Sequence, residues 1–141
     1  EETWHTYTLT ATVRKRPPLK TIGVDAFCTQ LKNSFNNFVD RYPQHGVAIW
    51  GAGHQAFTIM ALAKLGGRIR YVVDSAPFKQ GKFTPATHIP IVAPETFFDD
   101  DLSAIVVVAG SYTQEVISII QKRISRSIDI ATVSGSNLIL V

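Results

Sequence analysis

Apolar residues follow two spacings along the chain, and these spacings alternate from residue 24 to the end. Short apolar runs are typical of strands buried on both faces, whereas apolar residues three or four apart are typical of amphipathic helices. The runs predict strands at 47–50, 69–73, 91–92, 104–109 and 128–133, and an edge strand at 138–141. The wider spacing predicts helices at 24–42, 55–65 and 113–125, and Pro94 marks the start of a short additional helix.

Strands that alternate with helices of about a dozen residues form βαβ units, which join parallel strands. We therefore expect an α/β fold with a Rossmann-like, doubly wound, mostly parallel sheet and helices on both faces. The residues predicted to face the core are Phe27, Leu31, Phe35, Phe38, Val39 and Tyr42 in the first helix, Phe57, Met60, Ala61 and Leu65 in the second, and Val116, Ile119, Ile120 and Ile124 in the last.

The first 23 residues follow a different pattern. Between His5 and Val13 apolar residues alternate with threonine, which is typical of a strand with one buried face, and Pro17-Pro18 ends it. We therefore divide the chain into an N-terminal strand and linker, residues 1–23, and a Rossmann-like domain, residues 24–141. Since the chain begins at Glu1 rather than at a methionine, we expect this strand to be the end of an upstream domain.

Composition narrows the functional classes. The net charge of +3 is too small to indicate nucleic-acid binding, and no apolar run approaches the roughly 20 residues of a membrane span. The single cysteine, Cys28, excludes an internal disulfide and a cysteine-rich zinc site. The acidic run Asp99-Asp100-Asp101 is better explained as a solvated turn than as a metal site. We therefore expect no metal in this chain. Because no secretory signal is visible and a single cysteine fits a reducing compartment, we also expect a cytoplasmic protein.

One glycine-rich turn has the spacing of a phosphate-binding site. The segment Gly51-Ala52-Gly53-His54-Gln55-Ala56 fits the pattern G-x-G-x-x-G/A and lies between a predicted strand and a predicted helix. Gly51 permits the tight turn, Gly53 lets a phosphate approach the backbone, and free N–H groups at the helix start favour an anion. Asp74 follows at the spacing of a ribose-binding acid. The alternative is a tight turn that only packs the helix.

Further candidate residues lie at the carboxyl ends of the predicted strands, where open α/β sheets bind ligands. Besides the glycines and Asp74, the turns there contain His54, Gln55 and Tyr112. The long loop at 75–90 would fold over the same crevice and add Lys79, Gln80, Lys82 and His88. For His54 the simpler reading is a polar surface residue, and the two lysines are equally well explained as solvated loop charges.

The segment from Val73 to Ile91 resembles a signature of the C-terminal domain of sugar C-methyltransferases, which use S-adenosylmethionine to methylate nucleotide-linked deoxysugars. It contains a valine–aspartate strand end, then Lys79-Gln80-Gly81, a proline, and finally Thr87-His88-Ile89-Pro90-Ile91. The similarity extends over about 27–141. Two departures stand out: His54-Gln55 replaces the family's usual small residue and lysine, and Ala86 stands where a glycine is usual.

The resemblance implies a three-domain parent enzyme. In that family an N-terminal domain binds zinc, a middle domain binds S-adenosylmethionine and supplies the catalytic residues, and the C-terminal domain helps to hold the nucleotide-sugar. We therefore expect an accessory, non-catalytic domain that binds a nucleotide-linked sugar and has no cofactor of its own. Its other expected partner is the missing methyltransferase domain, and a homodimer is possible.

Two other functions stay open. The glycine pattern with Asp74 also fits an NAD(P)-binding or other nucleotide-binding Rossmann domain, although no catalytic tyrosine–lysine pair at helical spacing is found. A structural module is the third, dimerising through a sheet edge or an apolar helix face.

Overall fold

The computed structural model describes Lys15 and residues 23–141. The strand predicted at 5–13 and the domain boundary at residue 23 involve the remainder of the chain, so both stay predictions. The helices are α1 Val24–Val39, α2 His54–Leu62, α3 Pro94–Phe98 and α4 Thr113–Arg123, the last preceded by a 3-10 turn at Gly110–Tyr112. The strands are β1 Val47–Trp50, β2 Val72–Val73, β3 Ile91–Val92, β4 Ala104–Val107, β5 Asp129–Ser134 and β6 Asn137–Leu140.

The strands form one sheet in the order β3-β2-β1-β4-β5-β6. The pairs between β3, β2, β1, β4 and β5 are all parallel, and only β6 is antiparallel, paired with β5. This strand order is that of the Rossmann fold. The predicted α/β fold and the edge position of the last strand are therefore confirmed.

Alternate residues of the central strands pack in two separate hydrophobic cores, one on each face of the sheet. Val47 and Ile49 of β1 pack with the buried faces of α1 and α2. Ala48 and Trp50 pack on the other face, with Phe97 of α3 and with residues of α4. Because both faces are covered, every residue of β1 and β4 is buried, which explains why these strands read as continuous apolar runs.

For three helix residues the predicted position in the core is wrong. Phe27 is 46% exposed, because the buried face of α1 begins only at Leu31, one turn further along the helix. Ala61 is exposed because α2 turns Ala56, Ile59 and Met60 to the core. Ile119 is 37% exposed because α4 buries Val116, Ile117 and Ile120.

Helix α1 also ends earlier than predicted. After Val39 the backbone tightens, with Arg41 N–H bonded to Phe38 O and Tyr42 N–H to Val39 O, a pattern of 3-10 type that is common at helix ends. Among the described residues, no helix has the length and apolar character needed to cross a membrane. The cytoplasmic location expected from the sequence stays a prediction.

Candidate functional site

The strand order reverses between β1 and β4, and a crevice of about 450 Å³ opens at their carboxyl ends. The chain leaves β1 toward β2 and β3, and it returns to the other side of β1 as β4. The helices that follow the two strands, α2 and α4, therefore cover opposite faces of the sheet and leave a gap between them, which is where open α/β sheets bind ligands. Seven of the ten residues predicted from the sequence line this crevice: Gly51, Gly53, His54, Gln55, Asp74, Lys79 and Tyr112.

The two glycines of the turn have different structural roles. Gly51 has φ +117°, and a Cβ there would lie 2.2 Å from the carbonyl oxygen of Val108, at the end of β4. Gly53 has φ −117°, and a Cβ there would meet nothing within 4 Å. Gly51 is therefore required by the close approach of the two turns, whereas Gly53 leaves open space beside the start of α2.

The N-terminus of α2 faces this open space. Gly53 is its N-cap residue, no side chain of the described residues caps it, and its first turn contains no acidic residue. The first N–H groups of the helix therefore have no intrahelical partner, and together with the helix dipole they favour an anion. His54 and Gln55 are exposed in this first turn.

Asp74, at the end of β2, connects the glycine turn to the long loop. Its Oδ2 accepts a hydrogen bond from Ala52 N–H (2.8 Å) and one from Lys79 Nζ (3.0 Å), and its Oδ1 accepts one from Ala76 N–H (2.9 Å). Lys79 Nζ also donates to the carbonyl oxygen of Ala52 at 2.9 Å. Both backbone polar groups of Ala52 are therefore held by this pair, and the carboxylate has used three of its roughly four acceptor positions.

The electrostatics of the pair follow from these contacts. Burial by itself raises the pKa of Asp74, but the hydrogen bonds from Ala76 N–H, Lys79 and Ala52 N–H outweigh it, so the pKa lies below its usual value of 3.8. Asp74 is 9% exposed and is ionised at neutral pH. An ion pair at this position stabilises the turn, and it leaves the crevice without an uncompensated negative charge from Asp74.

Apolar strand residues form the floor of the crevice, and sequence reasoning missed this role. Trp50 is 6% exposed and packs edge-on against Phe97, with ring centroids 5.6 Å apart, as expected for a packing residue, yet it also borders the crevice. Val108 and Ala109 border it as well, because β4 ends at Val107 rather than at Ala109. The exposed Tyr112 lies on the same side, in the 3-10 turn that precedes α4.

Three predicted residues lie outside the crevice. Gln80 donates to the carbonyl oxygen of Asp74 at 2.9 Å, so it stabilises the turn that follows β2. Lys82 borders a second, smaller cavity of about 260 Å³. His88 stacks on Phe83, with ring centroids 5.2 Å apart and planes inclined by 15°. Across residues 23–141 no three His, Cys, Asp or Glu side chains lie close enough to hold a metal ion.

The end of the long loop is a self-contained turn around Thr84, which is buried. Its hydroxyl accepts from Ile89 N–H at 2.9 Å and pairs with the Thr87 hydroxyl at 2.7 Å. Inside this turn Ala86 has φ +63°, a left-handed conformation that glycine adopts without penalty. A glycine, which is usual at this position in the sugar C-methyltransferases that the loop resembles, would adopt this backbone freely, whereas Ala86 adopts it at a cost.

We expect Ala86→Gly to stabilise the protein, by a few tenths to about 1 kcal/mol. The left-handed backbone costs alanine about 1–2 kcal/mol, and the greater freedom of glycine in the unfolded chain offsets only part of that gain. Urea unfolding of both proteins measures the difference. The matched control is Ala61→Gly, an exposed alanine within α2, which we expect to lose about 1 kcal/mol. A loss in both variants would contradict strain at Ala86.

Comparisons with known proteins agree with this architecture. The family of C-methyltransferase C-terminal domains matches residues 24–130, which include the whole segment from Val73 to Ile91. No curated protein matches the chain. A crystal structure described as UDP-D-quinovosamine 4-dehydrogenase from Vibrio fischeri is similar with a TM-score of 0.52 and 16% identity, over 67% of this chain and 91% of that chain. A likeness at this identity shows the fold alone. The family match extends over most of the chain and confirms the resemblance seen in the loop: the chain belongs to the family of C-methyltransferase C-terminal domains.

Proposed function

We propose that this chain is an accessory domain that binds a nucleotide-linked sugar for a C-methyltransferase that uses S-adenosylmethionine. The observation that carries the proposal is the open start of α2 in the crevice, where uncapped N–H groups lie beside Gly53. Such a helix start is suited to the diphosphate of a nucleotide-sugar. The crevice volume of about 450 Å³ is within the usual range of small-molecule sites.

The sugar part of the proposal has two supports. The family to which the chain belongs is one of C-methyltransferases, and the similar structure from Vibrio fischeri is described as an enzyme of a UDP-linked sugar. The walls of the crevice are mostly backbone and apolar side chains.

The non-catalytic role is supported by the contacts that the ionisable side chains of the crevice make. Asp74 and Lys79 already bind each other and the backbone of Ala52, so they are poor candidates for proton transfer. His54 and Tyr112 line the crevice without an acid–base partner among the described residues. We therefore assign the methyl donor and the chemistry to an upstream domain of the parent protein, with which this domain would share the substrate.

The second candidate function is binding of NAD(P), which the glycine turn and the position of Asp74 at the end of β2 favour. In that role Asp74 would accept a hydrogen bond from the ribose. Its engagement with Ala52, Ala76 and Lys79 leaves about one acceptor position for such a contact. For this reason we place the nucleotide-sugar first.

We expect Gly53→Val to weaken nucleotide-sugar binding at least tenfold while the protein stays folded. The valine side chain would fill the space beside the start of α2, and the extended backbone of Gly53 accepts it. Isothermal titration with UDP-glucose, TDP-glucose and NAD measures the affinities. The control is Ala61→Val, which places the same side chain at the far, exposed end of α2.

The titrations separate the candidate functions. Binding of a nucleotide-sugar that Gly53→Val removes and Ala61→Val spares would support the proposal. Binding of NAD alone would favour the dinucleotide function. If the wild-type protein bound none of these ligands and sedimented as a stable dimer, the proposal would give way to a structural module.

A further inference from the structure

Two exposed phenylalanines border the second cavity, on the far side of Lys79 from the crevice. Phe78 is 71% exposed and Phe83 is 56% exposed, and the half-buried Phe57 of α2 completes the wall. We call these three side chains the aromatic shelf. Exposed aromatic rings that cluster beside a ligand crevice indicate a surface for a flat, apolar group.

The aromatic shelf and the crevice are continuous. Ala52 and Lys79 border both cavities, so one ligand can pass from the start of α2, across Lys79, to the shelf. Lys79 has used two of its three donors, on Asp74 and on Ala52 O, and one donor stays free of partners in the described part of the chain. A diphosphate crossing at this point would find that donor and the start of α2 together.

The backbone at Phe83 is held by hydrogen bonds on both sides, and its ring packs on a neighbouring ring. The backbone of Phe83 forms a β-bridge with Pro90. The residues before and after Phe83 are also hydrogen-bonded: Lys82 O accepts from Ile91 N–H at 2.8 Å, and Thr84 N–H donates to Ile89 O at 2.8 Å. His88 stacks on one face of the ring and leaves the other face exposed. A ring that packs on one neighbour and is still more than half exposed is suited to stacking with a planar base.

The charges around the aromatic shelf also favour a nucleotide. Lys82 borders the second cavity with its charge in solvent, and Lys79 Nζ lies 5.8 Å from the centre of the Phe78 ring. The side chains that border this cavity include no acid. The combination of aromatic faces and cations suits an anion that carries a planar base.

We propose that the aromatic shelf binds the nucleobase of the nucleotide-sugar, with the diphosphate crossing Lys79 and the sugar lying in the crevice. This inference rests on the proposed function and extends it to residues outside the glycine turn. Stacking accepts any base, so the shelf selects nucleotides over free sugar phosphates rather than one base over another.

The test is the double variant Phe78→Leu/Phe83→Leu, which keeps apolar bulk and removes the aromatic faces. We expect its dissociation constant for UDP-glucose to rise about fivefold or more, since stacking of one base on aromatic side chains contributes a factor of about five to a hundred. Saturation-transfer NMR should show strong transfer from the wild-type protein to the uracil protons, and that transfer should drop in the variant. The control is Phe27→Leu, an exposed phenylalanine of α1 that borders neither cavity.

The outcomes are distinct. Unchanged affinity of the double variant for UDP-glucose, or equal weakening by Phe27→Leu, would overturn the base site and leave the proposed function intact. Saturation transfer to the glucose protons alone would also overturn it. If the wild-type protein bound neither UDP-glucose nor TDP-glucose, the proposed function would fail and the base site with it.

Discussion

Gly51→Ala is expected to lower the free energy of unfolding by about 3 kcal/mol or more. The substitution imposes two costs at one position. The φ of +117° lies outside the range that L side chains adopt without strain, and the new Cβ would lie 2.2 Å from the carbonyl oxygen of Val108. A backbone oxygen on a central strand end has little room to move, so β1 and β4 would have to separate. Urea unfolding followed by far-UV circular dichroism measures the loss.

The matched control is Gly53→Ala, two residues further along the same turn. A Cβ at Gly53 meets no atom within 4 Å, and its backbone is extended, so we expect a loss of no more than about 1 kcal/mol, from the poorer N-cap. Equal losses at the two positions would show that the turn tolerates a side chain at Gly51 and that the neighbouring Val108 does not require a glycine there.

Asp74→Asn is expected to cost about 2 kcal/mol at neutral pH. The asparagine amide presents a donor where the carboxylate accepted from Ala52 N–H, Ala76 N–H and Lys79, so at least one buried donor loses its partner. The Lys79 ammonium also loses its counter-charge. Urea unfolding at pH 7 measures this cost, and Asp99→Asn, at an exposed position, serves as the control.

The same pair predicts the direction of a pH dependence. Because the pKa of Asp74 in the folded protein lies below 3.8, the ionised carboxylate adds stability that is fully present above the pKa of the unfolded chain. This contribution is lost as the pH falls through the lower pKa of the folded protein. The difference in stability between wild type and Asp74→Asn should therefore be constant from about pH 7 to pH 5 and shrink below about pH 4. A difference that persisted unchanged at the lowest pH would show that the charge of Asp74 contributes nothing.

Local periodicity was enough to predict the order and type of the elements from residue 24 onward. Residues of β1 and β4 are buried on both faces, so their apolar runs have no polar interruptions and are unambiguous. The boundaries were less certain. A strand was predicted at 69–73, but β2 comprises only Val72–Val73. Arg70 N–H, just before β2, nevertheless donates a hydrogen bond to Val47 O of β1. Where one element ends depends on geometry that the residue pattern only approximates.

The site could be predicted in part, because one rule links sequence to position: polar residues that follow parallel strands meet at one edge of the sheet. This rule brought together Gly53, Asp74 and Tyr112, which are far apart in the chain. It failed for Gln80, Lys82 and His88, which do not border the crevice, since the long loop folds back on itself around Thr84. Because the loop has no periodic pattern of apolar residues, its sequence does not predict the path of its backbone.

The sequence by itself determined the α/β fold, the glycine turn between β1 and α2, and the family, through a loop motif that is readable without coordinates. These features depend on neighbours in the chain or on residue identity. Only the tertiary structure decided what the individual residues do there. It showed that Gly51 is required by Val108, that Asp74 and Lys79 hold the backbone of Ala52, and that the phenylalanines of the aromatic shelf stand exposed beside the crevice. Those roles depend on contacts between residues distant in the chain, such as the 22 positions from Ala52 to Asp74, and strand register fixes such contacts.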